Sequence, residues 1–181
     1  MTHPWFRPDG PRVLAHRGLV PRDAEGIVEN SLAAVAAAHA AGVSYVESDC
    51  HLTADGEVVL FHDHDLSRVT GDPRSVRDVT TRDLEELMAT RGGLVTLRQA
   101  LDSFPTLRFN LDVKAEAAAE PAGRIVARHA ERVLLTSFSD DRRRRALSAA
   151  HAAGGEPATS AGSSTIGRTL AAASTPRSRS R

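Results

Sequence analysis

Short apolar runs, separated by turn residues or by alanine-rich segments, recur along most of the chain. Continuous or alternating apolar residues predict six strands, at 13–15, 43–52, 57–62, 107–113, 133–138 and 158–161. Segments rich in alanine or with apolar residues at helical spacing predict helices at 32–41, near 84–88, at 96–101, at 115–130 and at 142–153. Strands that alternate with helices are typical of parallel βαβ units. The pattern therefore predicts an α/β fold.

The stretch from Tyr45 to Asp63 departs from this alternation, because only a short turn separates its two strands. Asp55-Gly56 tolerates the positive φ of a tight reversal, and the connection is too short for a helical crossover. Glu47 and Asp49 lie two residues apart, so we expect both carboxylates on one face of the first strand. Cys50 should point to the opposite face, as a small core residue.

Composition excludes several classes of function. The chain has 181 residues, enough for one domain, with 23 basic and 23 acidic side chains. This balance gives no electrostatic reason to expect nucleic acid or an anionic membrane as a partner. A single cysteine permits no intrachain disulfide, and neither a signal-peptide core nor a spanning apolar run is evident. We therefore predict a cytoplasmic protein with one domain over residues 1–170 and a disordered Arg/Ser-rich tail over residues 171–181.

Polar, titratable groups stand where the predicted strands end. Buried strands that end in such groups indicate a site at one end of a sheet or barrel. Clustered carboxylates require a neutralising cation, and oxygen ligands suit Mg²⁺ or Ca²⁺. Histidines can act as general acid and base near neutral pH, while arginine and lysine can bind phosphate. The candidates are His16, Arg17, Glu47, Asp49, His62, Asp63, Asp112 and Lys114.

Six ordered motifs resemble those of the glycerophosphodiester phosphodiesterase family, which is related to the phosphatidylinositol-specific phospholipases C. The resemblance spans about residues 13–139. The motifs are His16-Arg17-Gly18, Glu29-Asn30-Ser31, Glu47-x-Asp49, Thr53-x-Asp55-Gly56, His62-Asp63-x-x-Leu66-x-Arg68 and Asp112-x-Lys114.

The resemblance implies a TIM-barrel-type (β/α) fold and metal-dependent hydrolysis of glycerophosphodiesters to sn-glycerol 3-phosphate and an alcohol. It implies a divalent cation, Mg²⁺ or Ca²⁺, as cofactor. The implied roles are acid–base catalysis for His16 and His62, metal binding for Glu47, Asp49 and Asp112, and substrate binding for Arg17 and Lys114, with Glu29 orienting the site.

Length leaves alternatives open, because a full barrel has about 250 residues and only six strands are evident. We therefore expect a barrel truncated after about six strands, whose unpaired edges could support an oligomer. One alternative function is an inactive remnant or binding module of the same fold, and another is a phosphodiesterase of lysophospholipids. Asp112 and Lys114 could also form a structural ion pair. His51 shares the face of Glu47 and Asp49 and could touch substrate or metal.

Overall fold

A computed structural model describes residues 2–7 and 10–162. Helices and strands alternate as the apolar pattern predicts, so the α/β expectation is confirmed within this part of the chain. The strands are β1 Leu14–His16, β2 Tyr45–Leu52, β3 Val58–Leu60, β4 Arg108–Val113, β5 Val133–Thr136 and β6 Ala158–Thr159. The helices are α1 Leu32–Ala40, α2 Ser67–Thr70, α3 Thr81–Met88, α4 Leu97–Ser103, α5 Ala119–Val126 and α6 Asp140–Ala152. The predicted tail at 171–181 and the end of the predicted domain lie outside the described residues.

Short 3₁₀ turns complete the described part of the chain, and two of them replace the ends of a predicted helix. These turns are Pro4–Phe6, Val76–Asp78, Glu116–Ala118 and Ala127–Arg132. The single helix predicted over 115–130 is wrong, because only α5 is α-helical there. Pro121 has no N–H to donate and is tolerated only in the first turn of a helix, where it lies in α5. His129 has a non-helical φ of −121° and ends the regular backbone at the other side.

The sheet is parallel along the order β1-β2-β4-β5-β6, and β3 runs antiparallel to β2. Strand β2 pairs through its first three residues with β1 and through its last three with β3. The Asp55-Gly56 turn makes this second pairing possible, with Gly56 at φ +86°. The side chains that end β1, β2 and β4 are therefore brought to one edge of the sheet.

The two faces of the sheet have different coverings. Val46, Cys50 and Leu111 belong to the large buried cluster that packs under the helices, as predicted for Cys50. On the opposite face, Tyr45 lies under Trp5, and their ring centroids are 5.1 Å apart. The Trp5 indole N–H donates to the carbonyl of Phe109, which fixes the amino-terminal segment across the sheet. This face is apolar at the start of the strands and polar towards their ends.

Within the described residues, no helix has both the length and the apolar character needed to cross a membrane.

Helices α5 and α6 approach each other closely at Gly123. A Cβ at this position would lie 2.1 Å from the carbonyl oxygen of Ala146, which belongs to the α6 backbone. We expect Gly123→Ala to lower the free energy of unfolding by about 1–3 kcal/mol, because the helices must separate to admit one methyl group. Urea denaturation measures this change. Arg124→Ala, an exposed neighbour on the same helix, is the control; equal stability of the Gly123→Ala variant and the parent would contradict the close packing.

Candidate active site

The turn after β1 brings the Arg17 side chain over the end of β2. Arg17 has a left-handed backbone, with φ +59°, which few non-glycine residues adopt. Its N–H donates to the carbonyl oxygen of Glu47 at 2.9 Å and lies 3.2 Å from the Glu47 side-chain Oε2. Gly18 follows at φ +85°, and a Cβ there would lie 2.8 Å from the backbone of Ala34. The His16-Arg17-Gly18 motif is therefore a strained turn that places a guanidinium at the site.

Asn30 holds Asp49 in place and does not cap helix α1. Ser31 is the cap, because its Oγ accepts from the N–H of Ala34 at 3.1 Å. Asn30 has φ +57° and donates from Nδ2 to Asp49 Oδ2 at 3.0 Å. Its Oδ1 accepts from Ser48 Oγ at 2.5 Å, so both ends of the amide are used. The sequence gave no sign that Asn30 orients a carboxylate.

The three predicted metal ligands lie on one face of neighbouring strands. Asp49 and Asp112 are register partners of β2 and β4, and Glu47 precedes Asp49 by two residues. The Lys114 ammonium lies 3.2 Å from Asp49 Oδ1 and 2.7 Å from Asp112 Oδ2. Lys114 is therefore ion-paired with two of these carboxylates. One of the two pairs, Lys114 with Asp112, is the ion pair that the sequence analysis gave as an alternative to a role in the site.

The carboxylate cluster contains one carboxyl with a raised pKa and one carboxylate oxygen without a hydrogen-bond partner. Burial, followed by the charge of Asp49, raises the pKa of Glu47 to about 7. Asp112 Oδ1 is buried and has no hydrogen-bond partner within the described residues. Nowhere in residues 2–7 and 10–162 do three His, Cys, Asp or Glu side chains form a group that could hold a metal ion as they stand. The Lys114 ammonium lies against two of the three carboxylates, Asp49 and Asp112.

His62 is oriented by the residue that follows it. Its Nδ1 lies 2.6 Å from Asp63 Oδ1, and this contact directs the Nε2 edge of the ring away from the carboxylate. Asp63 Oδ2 in turn accepts from Arg68 Nε at 2.6 Å. His51, the other imidazole near this strand end, has Nε2 3.2 Å from the carbonyl oxygen of His62, and burial lowers its pKa.

All eight predicted site residues belong to one network of polar contacts. His16 Nε2 lies 3.7 Å from Glu47 Oε2, and the His16 side chain is 71% exposed. Arg17 NH1 lies 2.8 Å from Glu29 Oε1, and Arg17 Nε lies 3.6 Å from Asp49 Oδ2. The network is completed through Arg68 and Asp63 to His62, and through Lys114 to Asp112. The structure thus links every residue to which the resemblance assigns a role, and it shows Asn30, Asp63 and Arg68 as their direct partners.

Two cavities open beside this network. One, of about 430 Å³, lies on the polar face of the sheet and is lined by Glu47, Asp112 and Thr136, among others. The second, of about 470 Å³, is lined by Lys114, His51 and His64, together with small apolar side chains. Both volumes are in the range of small-molecule sites. The first cavity thus borders two of the three carboxylates, and the second borders Lys114.

Comparisons with known proteins agree on one family. The model of the "Glycerophosphoryl diester phosphodiesterase family" matches residues 16–161. A relative from Mycobacterium tuberculosis, "Probable glycerophosphodiester phosphodiesterase 2", is 35% identical over 81% of this chain and 55% of its own length. "Lysophospholipase D GDPD1" from Rattus norvegicus is 30% identical over 57% of this chain and 36% of its own length. The chain spans about half the length, or less, of these curated relatives.

Solved structures give the same result. A glycerophosphodiester phosphodiesterase from Thermotoga maritima superposes with a TM-score of 0.64 at 30% identity, covering 75% of this chain and 57% of that one. A phosphodiesterase from Oleispira antarctica, solved in complex with the product sn-glycerol-3-phosphate, gives a TM-score of 0.65 at 26% identity, covering 89% of this chain and 71% of that one.

Proposed function

Because this chain belongs to the glycerophosphoryl diester phosphodiesterase family, we propose that it hydrolyses glycerophosphodiesters to sn-glycerol 3-phosphate and an alcohol. The described sheet is part of the TIM-barrel fold of these phosphodiesterases. The observation that carries the proposal is the single network of polar contacts. It joins the two histidines, the two basic side chains and the three carboxylates. The product bound by the Oleispira antarctica relative supports this substrate class.

The carboxylate cluster suits a divalent cation, Mg²⁺ or Ca²⁺. Glu47, Asp49 and Asp112 offer only oxygen donors, which hard cations prefer. Asp112 Oδ1 has no hydrogen-bond partner within the described residues, and burial together with the charge of Asp49 makes it unfavourable for Glu47 to ionise unless a cation lies nearby. These three residues would hold the ion, and Lys114 would then be released from Asp49 and Asp112. When bound, such an ion withdraws charge from phosphoryl oxygens.

Arg17 and Lys114 are the groups that bind phosphate in this proposal. Glu29 accepts a hydrogen bond from Arg17 NH1 and so fixes the direction of its guanidinium. The fork geometry of arginine suits two phosphoryl oxygens, whereas Lys114 contributes a point charge. Both side chains are only about one-fifth exposed, which reduces the screening of their charge by water.

His16 and His62 act as general acid and base. The contact between His62 Nδ1 and Asp63 assigns proton transfer to Nε2 of that ring. His16 is the last residue of β1, and it joins the network through Glu47. One histidine takes the proton of the nucleophile and the other donates a proton to the leaving alkoxide. The nucleophile is either water or a neighbouring glycerol hydroxyl, which would give a transient cyclic phosphate.

Two alternatives make different predictions in the same assay. The curated relatives include proteins named lysophospholipase D, so lysophospholipids are the second substrate class to be tested. A binding module of the same fold would bind glycerophosphodiesters without converting them. In each case the partner is a small-molecule phosphodiester, and the proposal retains the expected cytoplasmic location.

The first test is the conversion of glycerophosphocholine, followed by ³¹P NMR. We expect the diester resonance to be replaced by that of sn-glycerol 3-phosphate when Mg²⁺ or Ca²⁺ is present. EDTA should stop the reaction, and excess cation should restore it. Lysophosphatidylcholine is assayed in parallel to separate the substrate classes. Conversion of neither substrate by folded protein supplied with cation would contradict the proposal and favour the binding module.

A further inference from the structure

The motif that contains His62 carries a further charged residue, Arg68, to which the proposed mechanism gives no role. Asp63 follows His62 directly, and Arg68 is the last residue of the motif. Arg68 Nε donates to Asp63 Oδ2 at 2.6 Å, and its NH2 donates to Glu29 Oε1 at 2.5 Å. One guanidinium therefore contacts two carboxylates that belong to different parts of the site.

We propose that Arg68 is a positioning residue that fixes His62 through Asp63 and Arg17 through Glu29 at the same time. This inference rests on the proposed function, since the two residues that it positions are the acid–base histidine and the phosphate-binding arginine. Arg68 itself is placed outside the contacts with substrate.

The hydrogen bond from Arg68 to Asp63 fixes the His62 imidazole. Asp63 uses Oδ1 for His62 Nδ1 and Oδ2 for Arg68 Nε, so both of its oxygens are engaged. The hydrogen bond from Arg68 is the largest cause that lowers the pKa of Asp63, which keeps this carboxylate ionised and able to accept from Nδ1–H. The proton of the neutral ring is thereby held on Nδ1, and Nε2 remains the nitrogen that exchanges protons with the substrate.

The hydrogen bond from Arg68 to Glu29 fixes Arg17, the phosphate-binding arginine of the proposal. Glu29 Oε1 accepts from both Arg68 NH2 and Arg17 NH1, the latter at 2.8 Å. Burial tends to raise the pKa of Glu29, but the hydrogen bonds from Arg68 and Arg17 lower it overall. Glu29 is thus a charged bridge between two guanidinium groups, and its position depends on both of them.

The simpler interpretation is that Arg68 forms surface ion pairs, because its side chain is 52% exposed. Exposed ion pairs contribute little to stability, and their loss would leave turnover unchanged. The two interpretations differ in what they predict for catalysis. A positioning role affects the geometry of two catalytic groups, and small displacements of such groups have large effects on rate.

The test compares Arg68→Gln, Arg68→Lys and the control Arg82→Gln in the glycerophosphocholine assay. Arg82 is also an exposed arginine, with an ion pair to Glu86 on helix α3. We expect Arg68→Gln to lower kcat about 10- to 100-fold and to raise KM several-fold, because the hydrogen bonds to Asp63 and Glu29 are both lost. Arg68→Lys should restore only part of this loss, since one ammonium lacks the fork that reaches both carboxylates. Arg82→Gln should behave like the parent.

A second measurement needs no substrate and so separates this inference from the proposed function. ¹⁵N NMR of the His62 ring reports which nitrogen carries the proton. We expect the Nδ1–H form to predominate in the parent and the Arg82→Gln variant, and to lose population in Arg68→Gln. Unchanged tautomers, or kinetics of Arg68→Gln equal to those of Arg82→Gln, would overturn the positioning role. Full recovery by Arg68→Lys would also overturn it, because charge alone would then suffice.

Discussion

Replacing His62 with alanine is expected to lower kcat for glycerophosphocholine about 1,000-fold, within the range for loss of a general acid or base. The Nδ1 of the ring lies 2.6 Å from Asp63 Oδ1, and alanine removes both this contact and the Nε2 that exchanges protons in the proposal. KM should change little, because phosphate binding is assigned to Arg17 and Lys114. Steady-state kinetics by release of choline measures both constants.

His151→Ala is the matched control, because His151 is an exposed histidine on helix α6. His16→Ala should produce a loss similar to that of His62→Ala. The double variant should lose less than the product of the two single effects, since groups that act as a unit are not additive. A His62→Ala variant that keeps a tenth or more of the parent kcat would contradict the acid–base assignment.

Replacing Asp49 with asparagine is expected to lower kcat/KM at least about 100-fold and to weaken cation dependence. Asp49 is 1% exposed and contacts Asn30, Arg17 and Lys114, so it lies at the centre of the charged network. Asparagine preserves the shape and can still accept the hydrogen bond from Asn30. The change therefore removes mainly the charge that a divalent cation requires.

The measurement is the rate as a function of Mg²⁺ or Ca²⁺ concentration, together with urea denaturation of the same samples. Some loss of stability is expected, because Arg17 and Lys114 are left with less negative charge nearby. Asp141→Asn, at an exposed carboxylate in the first turn of α6, is the control. If Asp49→Asn showed the same half-saturating cation concentration as the parent, the assignment of Asp49 as a ligand would be wrong.

Sequence patterns were sufficient to identify the six strands of the described sheet and the polar residues near their ends. Alternation at β2 placed Glu47 and Asp49 on one face, and the Asp-Gly turn separated β3 from the parallel series. They were not sufficient for the 115–130 segment, where 3₁₀ turns replace both ends of the predicted helix. The spacing of apolar residues does not predict where α-helical hydrogen bonding gives way to a 3₁₀ turn.

Contacts between distant residues account for what the sequence did not reveal in the site. Glu29 and Arg68 are 39 residues apart, and Trp5 and Phe109 are 104 apart, so no local pattern links them. The contact of Asn30 with Asp49 depends on a left-handed backbone that no local pattern predicts. The ion pairs of Lys114 likewise depend on the register of β2 against β4.

The most direct test of the site is anomalous diffraction from crystals grown with Mn²⁺ and sn-glycerol 3-phosphate. Mn²⁺ is a hard divalent cation that takes the oxygen ligands favoured by Mg²⁺. We predict one strong peak bonded to oxygens of Glu47, Asp49 and Asp112, with the phosphate beside Arg17 and between His16 and His62. A metal peak elsewhere, or a phosphate bound away from both histidines, would contradict the account.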